Sequence, residues 1–336
     1  MTHDLIHTHL AALAKPPGSL GRLEELAAQL CFIQQALAPR TNPRRVVLFA
    51  ADHGVVNEGV SAWPSEVTRL MVQTSANGRA ASSVLAASTG TELQLVDVGT
   101  IGPPTPAGPI LQNCLVRAGS RNLAHEPALT IDEFRAAWAI GEAQATKAID
   151  GGIVVVAAGE MGIGNTTPAS CLIALLTDHP AEAVVGPGAG SNQDVIARKL
   201  EVVRTAVQKA RQHIDHEPEY AMASVCGLEI AAMAGFYHTA ARAGLTIVLD
   251  GVIATTAALI AERLHPGTSQ SMIAAHRSAE PGHGFSLEQL GLVPILENWE
   301  MRLGEGTGAI LLMPLLDAAA AITRMATLQD VLASAS

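Results

Sequence analysis

Two glutamates sit where glycine frees the backbone around a carboxylate. Glu160 lies in the run GEMGIGNTT (Gly159 to Thr167), and Glu305 lies in LGEGTGA (Leu303 to Ala309). The first run follows a short apolar stretch, Ile153 to Ala158, and leads into Thr167-Pro168. Threonine caps helices and proline is favoured at the first helical position, so a helix is predicted to begin there. A strand, a glycine loop and a helix N-terminus together present free backbone N–H groups to an anion. A carboxylate beside a phosphate is repulsive unless it faces hydroxyls or a cation. The loop therefore suits a phosphorylated ligand with more to hold than its phosphate. Glu305 stands before a hydrophobic segment, where a helix N-terminal acid gains from the macrodipole. A cap does not need the three glycines Gly304, Gly306 and Gly308, so the pattern favours a carboxylate placed for function.

Positioning these groups takes a scaffold, and the chain alternates short apolar, β-branched runs with longer Ala-rich segments. Six strands are predicted: Val46 to Ala50, Leu93 to Val98, Ile153 to Ala158, Ala183 to Gly186, Thr246 to Leu249 and Met272 to Ala275. Such alternation argues for an α/β fold with parallel strands covered by helices on both faces. Ligands in such sheets bind at the carboxyl ends of the strands. Those ends carry Asp52-His53-Gly54, then Asp97 and Gly99, the Glu160 loop, Gly186 to Ser191, Asp250-Gly251, and finally His276, Ser278, Glu280 and His283. Asp52, Asp97 and Asp250 each fit either a ligand contact or a cap for the next helix. Leu20 to Leu37 has helical spacing without a neighbouring strand, and Gly308 to Leu332 is helical in composition. These ends are predicted to pack as a small helical subdomain (1–39 and 301–336) beside a large α/β unit (40–300).

Composition narrows the function. The 336 residues are 49% hydrophobic and 15% charged, with a net charge of -10 and no run of Lys or Arg. Nucleic-acid binding requires clustered positive charge and is not expected. The N-terminus lacks the apolar stretch of a signal peptide. The apolar segments Leu245 to Ile260 and Ile310 to Ile322 are broken by Asp250, Asp317 and Pro314, so no membrane span is expected. Cys31, Cys114, Cys171 and Cys226 are scattered, as suits reduced thiols in a cytoplasmic protein. No histidine grouping has zinc spacing, so no metal is expected. Neither glycine loop fits the P-loop, and Gly162-Ile163-Gly164 lacks the third glycine of the dinucleotide fingerprint.

Seven segments together resemble the nicotinate-nucleotide:dimethylbenzimidazole phosphoribosyltransferase family. They are KPPGSLGRLEELA (Lys15 to Ala27), AADHGVV (Ala50 to Val56), GVSAWPSEVTRLMV (Gly59 to Val72), GEMGIGNTT, DGVIATTAAL (Asp250 to Leu259), HRSAEPGH (His276 to His283) and LGEGTGA. They run in one order along nearly the whole chain. The resemblance implies a Rossmann-like six-stranded parallel sheet with a small helical domain, assembled as a homodimer. It implies displacement of nicotinate from C1′ of nicotinate mononucleotide by a benzimidazole nitrogen, with inversion, no metal or other cofactor and no covalent intermediate.

The same resemblance implies roles. Glu305 would be the base that takes the benzimidazole proton. The phosphate would lie near Gly162, Gly188 and Ser278, with Lys199 as charge partner, while Glu160 faces ribose or base. Gly164, Asn165, Thr166 and Asp250 would complete the phosphoribosyl side. Ser61, Trp63, Leu70, Met71 and Leu303 would line the acceptor slot. The family commonly has Tyr at Trp63, Gln at Leu70 and Phe at Val252, so a more apolar slot open to several benzimidazoles is predicted. Three rivals stay open: a phosphoribosyltransferase using pyrophosphate-activated ribose, an NAD-dependent oxidoreductase, and a non-catalytic nucleotide binder. The first usually needs an adjacent acidic pair before a phosphate loop, and neither glycine loop has one. A phosphoribosyltransferase of this family with another aromatic acceptor is the nearest variant.

Overall fold

The computed structural model describes residues 1–188, 190 and 192–334. Ala189 and Ser191 of the predicted Gly186 to Ser191 strand-end loop, and Ala335 and Ser336 of the predicted terminal subdomain, lie outside the described residues. Six strands form one sheet: β1 (Arg44–Ala51), β2 (Glu92–Gly99), β3 (Leu111–Asn113), β4 (Val155–Met161), β5 (Thr246–Leu249) and β6 (Met272–Ala274). Their order is β3-β2-β1-β4-β5-β6, and every neighbouring pair is parallel. The chain winds outward from β1 to one edge, then crosses to β4 and winds to the other. The order reverses between β1 and β4, which opens a crevice at the carboxyl ends of those strands. Phe49 of β1 is in register with Glu160 of β4, so Glu160 stands at this opening.

The strands are apolar on both faces because helices cover both. Val47, Phe49, Val96 and Val156 point into one core with the Ile131–Asp150 and Leu228–Arg242 helices. Val46, Leu48, Leu95 and Val155 point into the other. That second core includes Ile6, Leu10, Leu26 and Leu30 from the N-terminal helices His3–Ala12 and Arg22–Gln34, and Leu312 and Leu316 from the Thr307–Ile322 helix. Both chain ends thus pack on the same face of the sheet.

Two expectations are corrected. Ala183 to Gly186 is not a strand: Ala181–Val184 is a helical turn following Pro180. A four-residue apolar run does not distinguish a buried strand from a buried helical turn. The sixth strand is instead Leu111–Asn113, whose Gln112 and Asn113 give no β signal and whose position at the sheet edge demands none. The helix after the Glu160 loop begins two residues early, at Thr166, with Asn165 in the N-cap position. Thr167 is therefore not the cap, and its buried hydroxyl has no hydrogen-bond partner among the described residues. Pro168 becomes the third helical residue, where its missing N–H still costs no helical bond. The C-terminal segment is helical, as its composition predicts, and divides into two helices, Thr307–Ile322 and Leu328–Ser334.

The Ile131–Asp150 and Leu228–Arg242 helices approach through glycine on each side. A Cβ on Gly141 would overlap the Ala232 carbonyl oxygen, and one on Gly235 would overlap that of Trp138. Neither obstacle is a flexible side chain. Gly141→Ala, which on helix propensity alone would gain about 1 kcal/mol, is expected instead to lose about 1–3 kcal/mol by overpacking. A denaturant midpoint at or above that of the unmodified protein would contradict this.

Candidate active site

The structure holds a cavity of about 480 Å³ at the carboxyl ends of β4, β5 and β6. Glu160, Gly162, Asn165, Thr166, Gly188, Asp250, Ser278 and Glu305 line it, as do Trp63, Met71 and Leu303. Ser61 and Gly164 line a smaller recess along the same glycine loop. Lys199 is buried beneath the wall and reaches it through Thr166, while Leu70 is half exposed and lines neither space. The predicted convergence of every strand end is thereby narrowed. Asp52 accepts the Ile101 N–H at 2.8 Å, and Asp97 accepts those of Gly99 and Thr100, so both tie down loops rather than face the cavity. His53 pairs with Glu229 at 2.9 Å, fully buried behind Gly162.

Glu305 is set by an unusual backbone. Gly304, Glu305 and Gly306 have φ of 87°, 57° and 70°, three consecutive left-handed residues. For a glutamate that conformation costs on the order of 1–2 kcal/mol, so neighbours must hold it. Asp250 does so. Its Oδ2 accepts the Gly306 N–H at 3.0 Å, and its Oδ1 accepts those of Gly308 and Ala309 at 2.7 and 3.3 Å. Asp250 thus caps a helix, though not the one that follows it in the chain. Gly159 lets the loop settle on β4: a Cβ there would overlap the Gly306 nitrogen and lie 2.6 Å from the Glu305 carbonyl carbon. The Glu305 carboxylate accepts the Ser82 hydroxyl at 3.1 Å through Oε2. Burial pushes its carboxyl above the ordinary value, Ser82 opposes that, and the Asp250 charge adds to it.

Glu160 is pushed up to about 8, first by burial, then by the charges of Glu229 and Asp250; Asn165 opposes this with a hydrogen bond to Oε2, and Glu305 adds a smaller push. A carboxyl that stays protonated near neutral pH repels no phosphate, which removes the conflict posed by its place in an anion-binding loop. Gly304 lets the two glutamates approach, since a Cβ there would overlap Glu160 Oε1.

The opposite wall is polar. Lys199 Nζ donates to Thr166 Oγ1 at 2.8 Å and to the Gly186 carbonyl at 3.1 Å. Burial lowers the pKa of this ammonium, and the nearby Glu280 raises it. The Gly188 N–H is already taken by Glu280 Oε1 at 2.8 Å, so it is not free for a ligand in this structure. Ser278 is steadied by its N–H to His283 Nδ1 at 2.8 Å. His283 is pushed down to about 3 by burial and then by His276 and Arg277, and so stays neutral to accept that bond.

Sequence reasoning left several lining residues without a role, among them Met161, His276, Glu280 and Arg302, while Val67 belongs to the Ser61 to Met71 segment expected at the acceptor slot. His276 and Glu280 stood at the sixth strand end and were open to assignment. Among the described residues no group of three His, Cys, Asp or Glu side chains is arranged to hold a metal ion.

Comparison with known proteins places this geometry in context. A family model described as phosphoribosyltransferase matches residues 2–331. The nicotinate-nucleotide–dimethylbenzimidazole phosphoribosyltransferase of Thermus thermophilus is 46% identical over 318 residues, covering 95% of this chain and 94% of that protein. The protein of that name from Cupriavidus taiwanensis is 44% identical over 315 residues, covering 93% and 90%. Among solved structures, that of CobT from Thermus thermophilus superposes with a TM-score of 0.94 at 44% identity, over 98% of each chain.

Proposed function

The chain belongs to the nicotinate-nucleotide:dimethylbenzimidazole phosphoribosyltransferase family, and from that premise we propose how its cavity works. It transfers the phosphoribosyl group of nicotinate mononucleotide to 5,6-dimethylbenzimidazole, giving α-ribazole 5′-phosphate and nicotinate. The observation that carries the mechanism is Glu305, a buried carboxylate at one wall of a cavity whose other walls are a glycine loop and an apolar slot. One benzimidazole nitrogen attacks C1′ as the C1′–N bond to nicotinate breaks, with inversion, and that bond's electron pair leaves on the pyridine nitrogen. The proton on the other benzimidazole nitrogen passes to Glu305. Holding both reactants in one cavity supplies much of the rate, since attack then needs no further loss of translational freedom.

The phosphoribosyl group occupies the side formed by Glu160, Gly162, Asn165, Thr166 and Ser278, with Lys199 charging the wall from beneath. Protonated Glu160 offers its O–H to ribose or the departing base. Asp250 acts on the reaction through the Glu305 loop. The acceptor lies between Trp63, Met71 and Leu303, with Val252 behind it. Because Leu70 lies outside the lining, the departures from the family pattern that bear on the slot are Trp63 and Val252. Trp63 and Leu303 remain 52% and 60% exposed, an apolar mouth that suits a second copy of the chain in a homodimer. Among the described residues no helix is long and apolar enough to cross a membrane; the cytoplasmic setting is part of the same proposal. The division into a 40–300 unit and a terminal helical unit belongs to the same reading.

The test is incubation with nicotinate mononucleotide and a mixture of dimethylbenzimidazole, other substituted benzimidazoles, adenine and phenols, with mass detection of products. α-Ribazole phosphate is expected to form in EDTA, alongside the products of several other benzimidazoles. Loss of product in EDTA would point to a metal-dependent transfer. Strict use of dimethylbenzimidazole would sink the open slot alone.

A further inference from the structure

We propose that Ser82 is a positioning residue for the transfer: it holds one oxygen of the Glu305 carboxylate so that the other meets the acceptor's N–H. The proposal rests on the reading of Glu305 as base. Ser82 is the second residue of the Ala81–Ser88 helix and is fully buried. Its hydroxyl donates to Glu305 Oε2 at 3.1 Å. The carboxylate therefore has one oxygen anchored by a side chain and another that no side chain anchors among the described residues, which suits a base that must accept a proton along a defined direction.

The anchor lies at the start of a helix, where backbone N–H groups lack helical partners and negative charge is favoured. The other elements packed around Glu305 work against its charge. Burial and Asp250, a like charge from the end of β5 held against the adjoining loop, both do so, while Glu160, which approaches from β4, stays protonated and adds no charge. His276, beyond β6, faces Asp250 at 3.6 Å rather than Glu305. Ser82 thus stabilises the ionised base through its hydroxyl and, secondarily, its backbone N–H, in a site where burial and the Asp250 charge disfavour it; a bond to the charged form lowers a pKa, and Ser82→Ala removes the hydroxyl's share. This agrees with the opposing push of Ser82 on the Glu305 carboxyl.

Ser82→Ala removes only the hydroxyl, and alanine is the best helix former, so the helix stays intact. The pH dependence of kcat, KM for each substrate and the 13C titration of the Glu305 carboxyl are measured together. The Glu305 signal is assigned by its loss in Glu305→Gln. The acid limb of kcat and the Glu305 titration are both expected to move up by about one pH unit, with kcat reduced and KM little changed. If neither moves while Glu305→Gln loses turnover, the role of Ser82 is overturned and that of Glu305 stands. If Glu305→Gln keeps full turnover, the base reading fails and the Ser82 proposal falls with it.

Discussion

Glu305→Gln is expected to lower turnover by about 10²–10⁴-fold, the usual contribution of a positioned general base. Glutamine keeps the length and shape of the side chain, and its amide oxygen can still accept the Ser82 hydroxyl. What it cannot do is take a proton from the acceptor. The substitution also removes a charge from a buried site that already holds Asp250, so the fold should lose nothing. The measurement is steady-state turnover beside calorimetric affinity for nicotinate mononucleotide. Turnover should fall while affinity holds. Equal loss of both would mean that Glu305 binds the donor rather than accepts the proton. The pH dependence of the unmodified enzyme follows from the same group. Its carboxyl is raised, so the ionised base is depleted as pH falls through that raised value. Activity should therefore fade at a higher pH than an exposed glutamate would permit.

The glutamates were legible in the sequence because their setting is local. Positive φ at Gly304 and Gly306 needs glycine at those positions, and the pattern shows in the letters themselves. The parallel sheet was legible for a similar reason, since strands buried on both faces read as continuous apolar runs. The failures are non-local. Leu111–Asn113 is a strand only because β2 offers it an edge. Ser82 looks like any serine in an Ala-rich helix, and its partner lies 223 residues away. Asp250 fitted a helix cap or a ligand contact, and the structure makes it a cap for a helix that starts more than fifty residues later. Leu70 was placed in the slot by resemblance alone, and its helix turns it outward.

Asp250→Asn is the sharper test of how the site is held together. Asparagine retains one oxygen, enough for the Gly308 and Ala309 N–H groups at the helix start. It sets an NH₂ where Oδ2 now receives the Gly306 N–H, so two donors face each other in a buried place. Losing a bond to a charged group costs about 1.5–3 kcal/mol, and here the Gly306 N–H is also left unpaired. The effect falls on the residue next to Glu305, whose left-handed backbone depends on that bond. A displacement of the base by about 1 Å is enough to cost on the order of 10²-fold in rate. Both a lower unfolding midpoint and a lower kcat are expected. The pH dependence gives the assignment its sign. The Asp250 charge raises the carboxyls of Glu160 and Glu305, so removing it should carry the acid limb to lower pH. Ser82→Ala should carry the same limb to higher pH. Two substitutions near one carboxylate, both lowering kcat and shifting its titration in opposite directions, would be hard to explain unless Glu305 is the base. A limb that moves upward in Asp250→Asn would mean that loop displacement outweighs charge, and would reduce Asp250 to a structural anchor.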